Sequence, residues 1–199
     1  MLFRSIEPED MQIDSYEKLE LVADVIPALL RLKDAGYEFV IVSNQDGLGT
    51  ASNPLEKFQP VHDKMLSLFA SQGIKFVAEH IDPHFEEDNS PNRKPGVGML
   101  MDYLTSGDLD FKDSWVIGDR LTDLQLADNM GIGGFRCGPE GMDWMEIARQ
   151  LCDRPRTGSV KRDTNETRIN VKVDLDVSDR KSTRLNSSHS SVSRMPSSA

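Results

Sequence analysis

Ser114-Trp115-Val116-Ile117-Gly118-Asp119-Arg120-Leu121-Thr122-Asp123-Leu124-Gln125-Leu126-Ala127-Asp128-Asn129-Met130-Gly131 is the stretch from which the fold can be read. Trp115-Val116-Ile117 is a short apolar run of the kind that forms a buried parallel strand. It stops at Gly118, and Asp119 and Asp123 follow at once. Apolar residues then recur at helical spacing (Leu124, Leu126, Ala127, Met130), and Gly131 is placed to end the helix. Open α/β sheets bind their ligands where strands end and helices begin. Two carboxylates four residues apart at such a place suit a hard cation such as Mg²⁺. The bland alternative is a turn aspartate followed by an acid beside the positive end of a helix.

Outward from this element the same alternation repeats. A helix is expected from about Val25 to Ala35, with Asp24 as N-cap and Gly36 as terminator. Phe39-Val40-Ile41-Val42 then reads as a buried strand that runs into Ser43-Asn44-Gln45-Asp46-Gly47-Leu48-Gly49-Thr50. A second helix spans roughly Leu55 to Ser71, with Phe58, Met65, Leu66 and Phe69 inward, and a strand lies near Lys75 to Ile81. Asp82 to Pro95 is loop, Val97 to Leu104 helix, Gly133 to Arg136 a short strand and Trp144 to Leu151 a closing helix. Strands alternating with helices predict a three-layer, Rossmann-like parallel α/β sandwich. Beyond Pro155 the pattern changes: Ser159 to Val177 reads as one half-buried antiparallel strand, with Ile169, Val171, Val173, Leu175 and Val177 at every second position. Residues 6–155 therefore read as one domain, 156–179 as the start of another, and 180–199 as a Ser-rich, disordered and non-native tail.

Composition narrows the function. The 199 residues carry 23 basic and 33 acidic side chains, a net charge of −10. Residues 180–199 contribute +4 of that, which leaves −14 for residues 1–179. Such a body repels phosphate backbones, so nucleic acid is not an expected partner, whereas a small phosphate could bind through a local cation. No apolar run is long enough to span a membrane. Neither a signal peptide nor a disulfide framework is apparent, since Cys137 and Cys152 are the only cysteines, and a cytoplasmic setting is expected.

In a parallel sheet the loops at Ser43-Asn44, Arg93-Lys94-Pro95 and Asp119/Asp123 would gather at one edge. A hydroxyl, a lysine and carboxylates together there suit a phosphate and a bridging Mg²⁺. Strand–Ser-Asn-Gln, Arg-Lys-Pro and strand–Gly-Asp-Arg-x-Thr-Asp resemble the second, third and fourth motifs of the haloacid dehalogenase superfamily of phosphatases. Residues 43–50 and 118–127 are similar, nearly residue for residue, to the histidinol-phosphatase domain of bifunctional histidine-biosynthesis enzymes. Thr164-Asn165-Glu166-Thr167 resembles the opening of their imidazoleglycerol-phosphate dehydratase domain.

The resemblance implies hydrolysis of a phosphomonoester, histidinol phosphate, through an aspartyl-phosphate. It assigns Ser43 and Lys94 to the phosphoryl group, Asn44 and Arg93 to the substrate pocket, Asp119 to Mg²⁺, and Asp123 to the metal shell or its supporting loop. Heptose-bisphosphate or other sugar-phosphate phosphatases, and a non-catalytic phosphate-binding remnant, are the alternatives. The family's opening Asp-x-Asp-Gly-Thr strand is absent, and neither Asp10 nor Asp14 replaces it. The expectation is therefore an inactive internal piece of a longer enzyme, lacking its first strand and ending one strand into the next domain. Oligomerisation would come only through the missing dehydratase part. Relatives often carry a zinc loop of three cysteines and a histidine; Asp82, His84, Ser90 and Asn92 stand at those positions, so zinc is not expected.

Overall fold

The computed structural model describes residues 14–153, 157–163 and 168–174. It divides into two compact units, 1–154 and 155–199.

In the first unit the predicted alternation is present. Helix α1 (Val25–Asp34) buries Val25, Ala28, Leu29 and Leu32, the three-and-four spacing of one helical face. Asp24 does not cap it: the residue is left-handed at φ 60° and its side chain makes no capping bond. Helix α2 (Leu55–Ser71) buries Val61, His62, Met65 and Phe69. Of the expected inner face, Met65 and Phe69 are fully enclosed, while Phe58 instead stacks on the His62 ring, centroids 5.1 Å apart. Strands β1 (Phe39–Asn44) and β2 (Phe76–Asp82) run parallel, as do β3 (Trp115–Gly118) and β4 (Gly133–Arg136). Helix α3 (Met101–Ser106) starts later than the expected residue 97, because Gly98 to Leu100 form a tighter 3₁₀ turn. A Cβ on Gly96 or Gly98 would run into the Pro91 carbonyl oxygen, so this segment is folded against the preceding loop before the helix begins.

Helices α4 (Leu121–Met130) and α5 (Trp144–Cys152) complete the unit. Gly131 ends α4 with φ 70°, as its position predicted. The Asp143 carboxylate caps α5 by accepting from the Glu146 N–H at 2.6 Å.

The two-residue period of the strands separates the helical layers. Phe39, Ile41, Trp115 and Ile117 pack into the larger core with α1, α2 and α5. Val42 and Val116, pointing the other way, pack with Leu100, Leu126 and Met130 from the α3–α4 side. β1–β2 and β3–β4 are separate two-stranded parallel pairs, and with helices packed on both faces they give the three-layer α/β arrangement expected from the sequence.

In the second unit the single expected strand is a hairpin. β5 (Thr157–Asp163) pairs antiparallel with β6 (Arg168–Asp174), Thr157 opposite Asp174 and Asp163 opposite Arg168. Of the alternating positions, Ile169, Val171 and Val173 lie in β6, and Leu175 and Val177 lie outside the described residues. Residues 159–163, expected within that same strand, instead form its partner, through backbone hydrogen bonds that side-chain patterning does not report. The 180–199 tail lies outside the described residues.

Candidate active site

β1 ends at Asn44, and its last residues build one half of the site. The Asn44 carboxamide is used at both ends: its oxygen accepts from the Lys94 N–H at 2.9 Å and its Nδ2 donates to the Lys94 carbonyl at 3.2 Å. That pair fixes the Lys94 backbone beside β1. The Lys94 ammonium then donates to the Val42 carbonyl at 2.9 Å and to Asp123 Oδ1 at 2.8 Å. Asn44, Lys94 and Asp123, which are far apart in sequence, thus form one continuous chain across the space between β1 and α4.

Asp123 sits in the first turn of α4, buried, with its second oxygen accepting from the Arg120 N–H at 3.1 Å. Gly118 lets it lie so close: a Cβ there would overlap the Asp123 carboxylate. Burial opposes ionisation of Asp123, but the Lys94 charge and hydrogen bond and the Arg120 N–H outweigh it and hold the carboxyl below its ordinary value. Each Asp123 oxygen thus accepts one hydrogen bond, one from the Lys94 ammonium and one from the loop's own backbone.

Asp119 differs. Its main-chain carbonyl accepts from Arg136 Nε at 3.3 Å, while its carboxylate Oδ1 is buried without a hydrogen-bond partner among the described residues. A buried carboxylate oxygen left in that state is costly unless a cation meets it. The donor is a hard oxygen at the carboxyl end of β3, which fits Mg²⁺. Ser43, one residue before Asn44, accepts from Gln45 Nε2 at 2.9 Å and retains its hydroxyl proton as a donor.

Arg93 lies beside this core. Its guanidinium donates to both Asp46 oxygens, at 2.5 and 3.2 Å, and to the His84 carbonyl at 2.9 Å. The Asp46 hydrogen bond holds its pKa above the ordinary arginine value against the opposing effect of burial. Nothing in the spacing of Gln45 and Asp46 marks these roles; the two residues simply lie between Asn44 and the loop's first glycine.

Asp82, His84, Ser90 and Asn92 are tied together by hydrogen bonds. Asp82 is enclosed at the end of β2, and its Oδ1 meets His84 Nδ1 at 2.8 Å and Ser90 Oγ at 3.0 Å. Ser90 Oγ in turn accepts from the Asn92 N–H at 3.2 Å. Asp14 pairs with Lys18 at 2.7 Å and lies 3.9 Å from the Lys57 ammonium, and Asp10 lies outside the described residues.

Comparison with known proteins gives three kinds of match. A family model for HAD-hydrolase-like proteins matches residues 91–135, which contain Arg93, Lys94, Asp119 and Asp123. The histidine biosynthesis bifunctional protein HisB of Stenotrophomonas maltophilia (strain K279a) is 52% identical over 174 residues, covering 85% of this chain and 49% of that protein. The protein of the same name from Xanthomonas axonopodis pv. citri (strain 306) is 51% identical, covering 86% and 47%. The chain therefore spans about half the length of these curated relatives. Among solved structures, the D,D-heptose 1,7-bisphosphate phosphatase of B. bronchiseptica, complexed with magnesium and phosphate, aligns with a TM-score of 0.62. It is 28% identical, covering 73% of this chain and 90% of its own. A second, from Mesorhizobium loti, has a TM-score of 0.56 at 24% identity, covers 69% and 75%, and bears on the fold alone.

Proposed function

We propose, from a haloacid dehalogenase-like hydrolase fold, that this chain is the phosphatase part of a bifunctional histidine-biosynthesis protein and that its site takes histidinol phosphate. The observation that carries the phosphatase reading is the pairing of two features. An ordered chain Asn44–Lys94–Asp123 presents an ammonium beside the end of β1, and an Asp119 oxygen without a hydrogen-bond partner among the described residues follows the end of β3. The choice of histidinol phosphate over other esters is supported by identities of 51–52% to proteins named for histidine biosynthesis.

In this reading Ser43 donates its hydroxyl to a phosphoryl oxygen and Lys94 offsets the phosphate charge. Asn44 sets the Lys94 backbone, and Asp123 holds the ammonium in the orientation the phosphate meets. Asp119 would hold Mg²⁺, which when bound neutralises charge on the phosphoryl oxygens. Hydrolysis breaks the bond between phosphorus and the ester oxygen; the departing alkoxide takes a proton, and water supplies the oxygen that ends on phosphate. The carboxylate nucleophile that the family resemblance implies is not assigned to any of the described residues. Residues 157–174 would be the first hairpin of the dehydratase part.

The test is phosphate release from histidinol phosphate with Mg²⁺, measured on the chain and on a version carrying an Asp-x-Asp-Gly-Thr strand ahead of Ile6. Release by the extended version supports the reading. Release from neither, with both proteins folded by circular dichroism, would sink it.

One observation favours a second substrate: the structural similarity to a heptose-bisphosphate phosphatase. A faster rate on heptose bisphosphate than on histidinol phosphate would replace the substrate and keep the chemistry.

A further inference from the structure

The loops after β1 and β2 are joined more extensively than strand pairing requires. The parallel ladder continues past the strand ends, with the Gln45 N–H donating to the Asp82 carbonyl at 2.8 Å and the Gly47 N–H to the Pro83 carbonyl at 2.9 Å. The Phe85 ring occupies the space a Cβ on Gly47 would need, and Gly47 has φ 67°. Beyond that point Asp46 and Arg93 close the structure with a two-pronged contact, and Arg93 also reaches back to the His84 carbonyl. The Arg93 side chain is 15% exposed and that of Asp46 47%, so the guanidinium is sheltered while the carboxylate reaches solvent, and the strength of the contact lies in its two-pronged geometry. Residue 93 directly precedes Lys94, whose ammonium reaches Asp123.

We infer that Asp46 is a positioning residue: acting through Arg93, it locks the 43–53 and 82–93 loops into one preformed rim beside Lys94. With two acceptor oxygens and a carbonyl already taken, Arg93 does not swing inward as a free phosphate anchor. It holds the edge against which the non-phosphate end of a ligand rests. That last consequence depends on the phosphatase reading; the locking of the loops does not.

Hydrogen–deuterium exchange on the full chain tests the lock without any need for turnover. Asp46→Asn should speed exchange in peptides covering residues 82–93 by about tenfold and leave α1 and α5 unchanged, because only local opening becomes easier. Arg93→Ala should do the same, and the double variant should be no faster than either single one, the signature of a shared contact. The exchanged pair Asp46→Arg with Arg93→Asp should recover protection to within about threefold of the parent, since the contact is remade in reverse. Unchanged exchange in Asp46→Asn, or additive effects in the double variant, would overturn the inference.

In whichever version hydrolyses phosphate esters, Asp46→Asn should raise KM several-fold with kcat within about twofold, as expected for a residue that shapes binding and not the chemical step. Equal losses in kcat and kcat/KM would also overturn it. Absence of hydrolysis in every version would bear on the proposed function alone, because the exchange experiment decides the lock independently.

Discussion

Lys94 and Asp123 form an ion pair whose side chains are 16% and 7% exposed, which makes the pair expensive to break from one side. Replacing Lys94 with Met keeps the stem and removes the charge, leaving Asp123 enclosed with only the Arg120 N–H. The expected loss is about 3–5 kcal/mol, the usual cost of orphaning one partner of a buried pair. Chemical denaturation measures it, and a loss below about 1 kcal/mol would mean that water reaches Asp123 freely. The pH dependence has a definite sign. The Asp123 carboxyl is depressed below its ordinary 3.8, so its contribution is complete above that value and disappears as pH falls through the lower folded value. The parent should therefore lose stability steeply below about pH 4, and Asp123→Asn should flatten that limb while lowering stability at neutral pH. Parallel acid limbs in the two proteins would remove Asp123 as a source of acid lability.

At the scale of elements, the β3–α4 junction depends on a missing side chain. Gly118 ends β3, its carbonyl accepts from the Cys137 N–H at 2.8 Å, and the Asp123 carboxylate occupies the room beside its Cα. Gly118→Ala pushes a methyl into that carboxylate, and the loop must shift to relieve it. The expected cost is about 1–3 kcal/mol, as for other overpacked sites, together with a weaker Lys94–Asp123 contact. A melting temperature equal to the parent's would show that the junction is looser than its geometry suggests.

The sequence made this element readable because it combines a period of two, a glycine stop and a period near 3.6 within eighteen residues. The same signals placed α1, α2, α5 and the four strands of the first unit to within a residue or two. They misjudged Asp24, whose side chain could cap but whose backbone is left-handed, and the start of α3, where Gly98 to Leu100 take a 3₁₀ turn with the Gly98 N–H bonded to the Pro91 carbonyl. In the site, spacing identified Ser43, Lys94 and Asp119 as candidates. It could not show that Asn44 and Asp123 serve Lys94, or that Asp46 holds Arg93, since those links join loops 29 to 50 residues apart in the chain.

For the whole molecule, the dominant electrostatic fact is an excess of acid: 33 carboxylate residues against 23 basic ones, with −14 concentrated in residues 1–179. Two salt effects then compete. Screening weakens the attraction in exposed pairs such as Arg136–Glu140 and Arg31–Asp153, each worth at most about 1 kcal/mol. It also weakens the repulsion among the surplus acids, which acts over the whole folded body and relaxes when the chain expands. At 0.01 M ionic strength the screening length is about 30 Å, and at 0.1 M about 10 Å, so long-range repulsion fades first while pairs in contact keep more of their attraction. Lys94–Asp123, being enclosed, is screened least. Raising sodium chloride over that range should therefore increase the melting temperature, and the increase should be the same in Lys94→Met as in the parent. Sodium chloride is the salt to use, because Mg²⁺ would add specific binding at Asp119 to the screening. A melting temperature that falls with salt would mean that the exposed ion pairs outweigh the net repulsion.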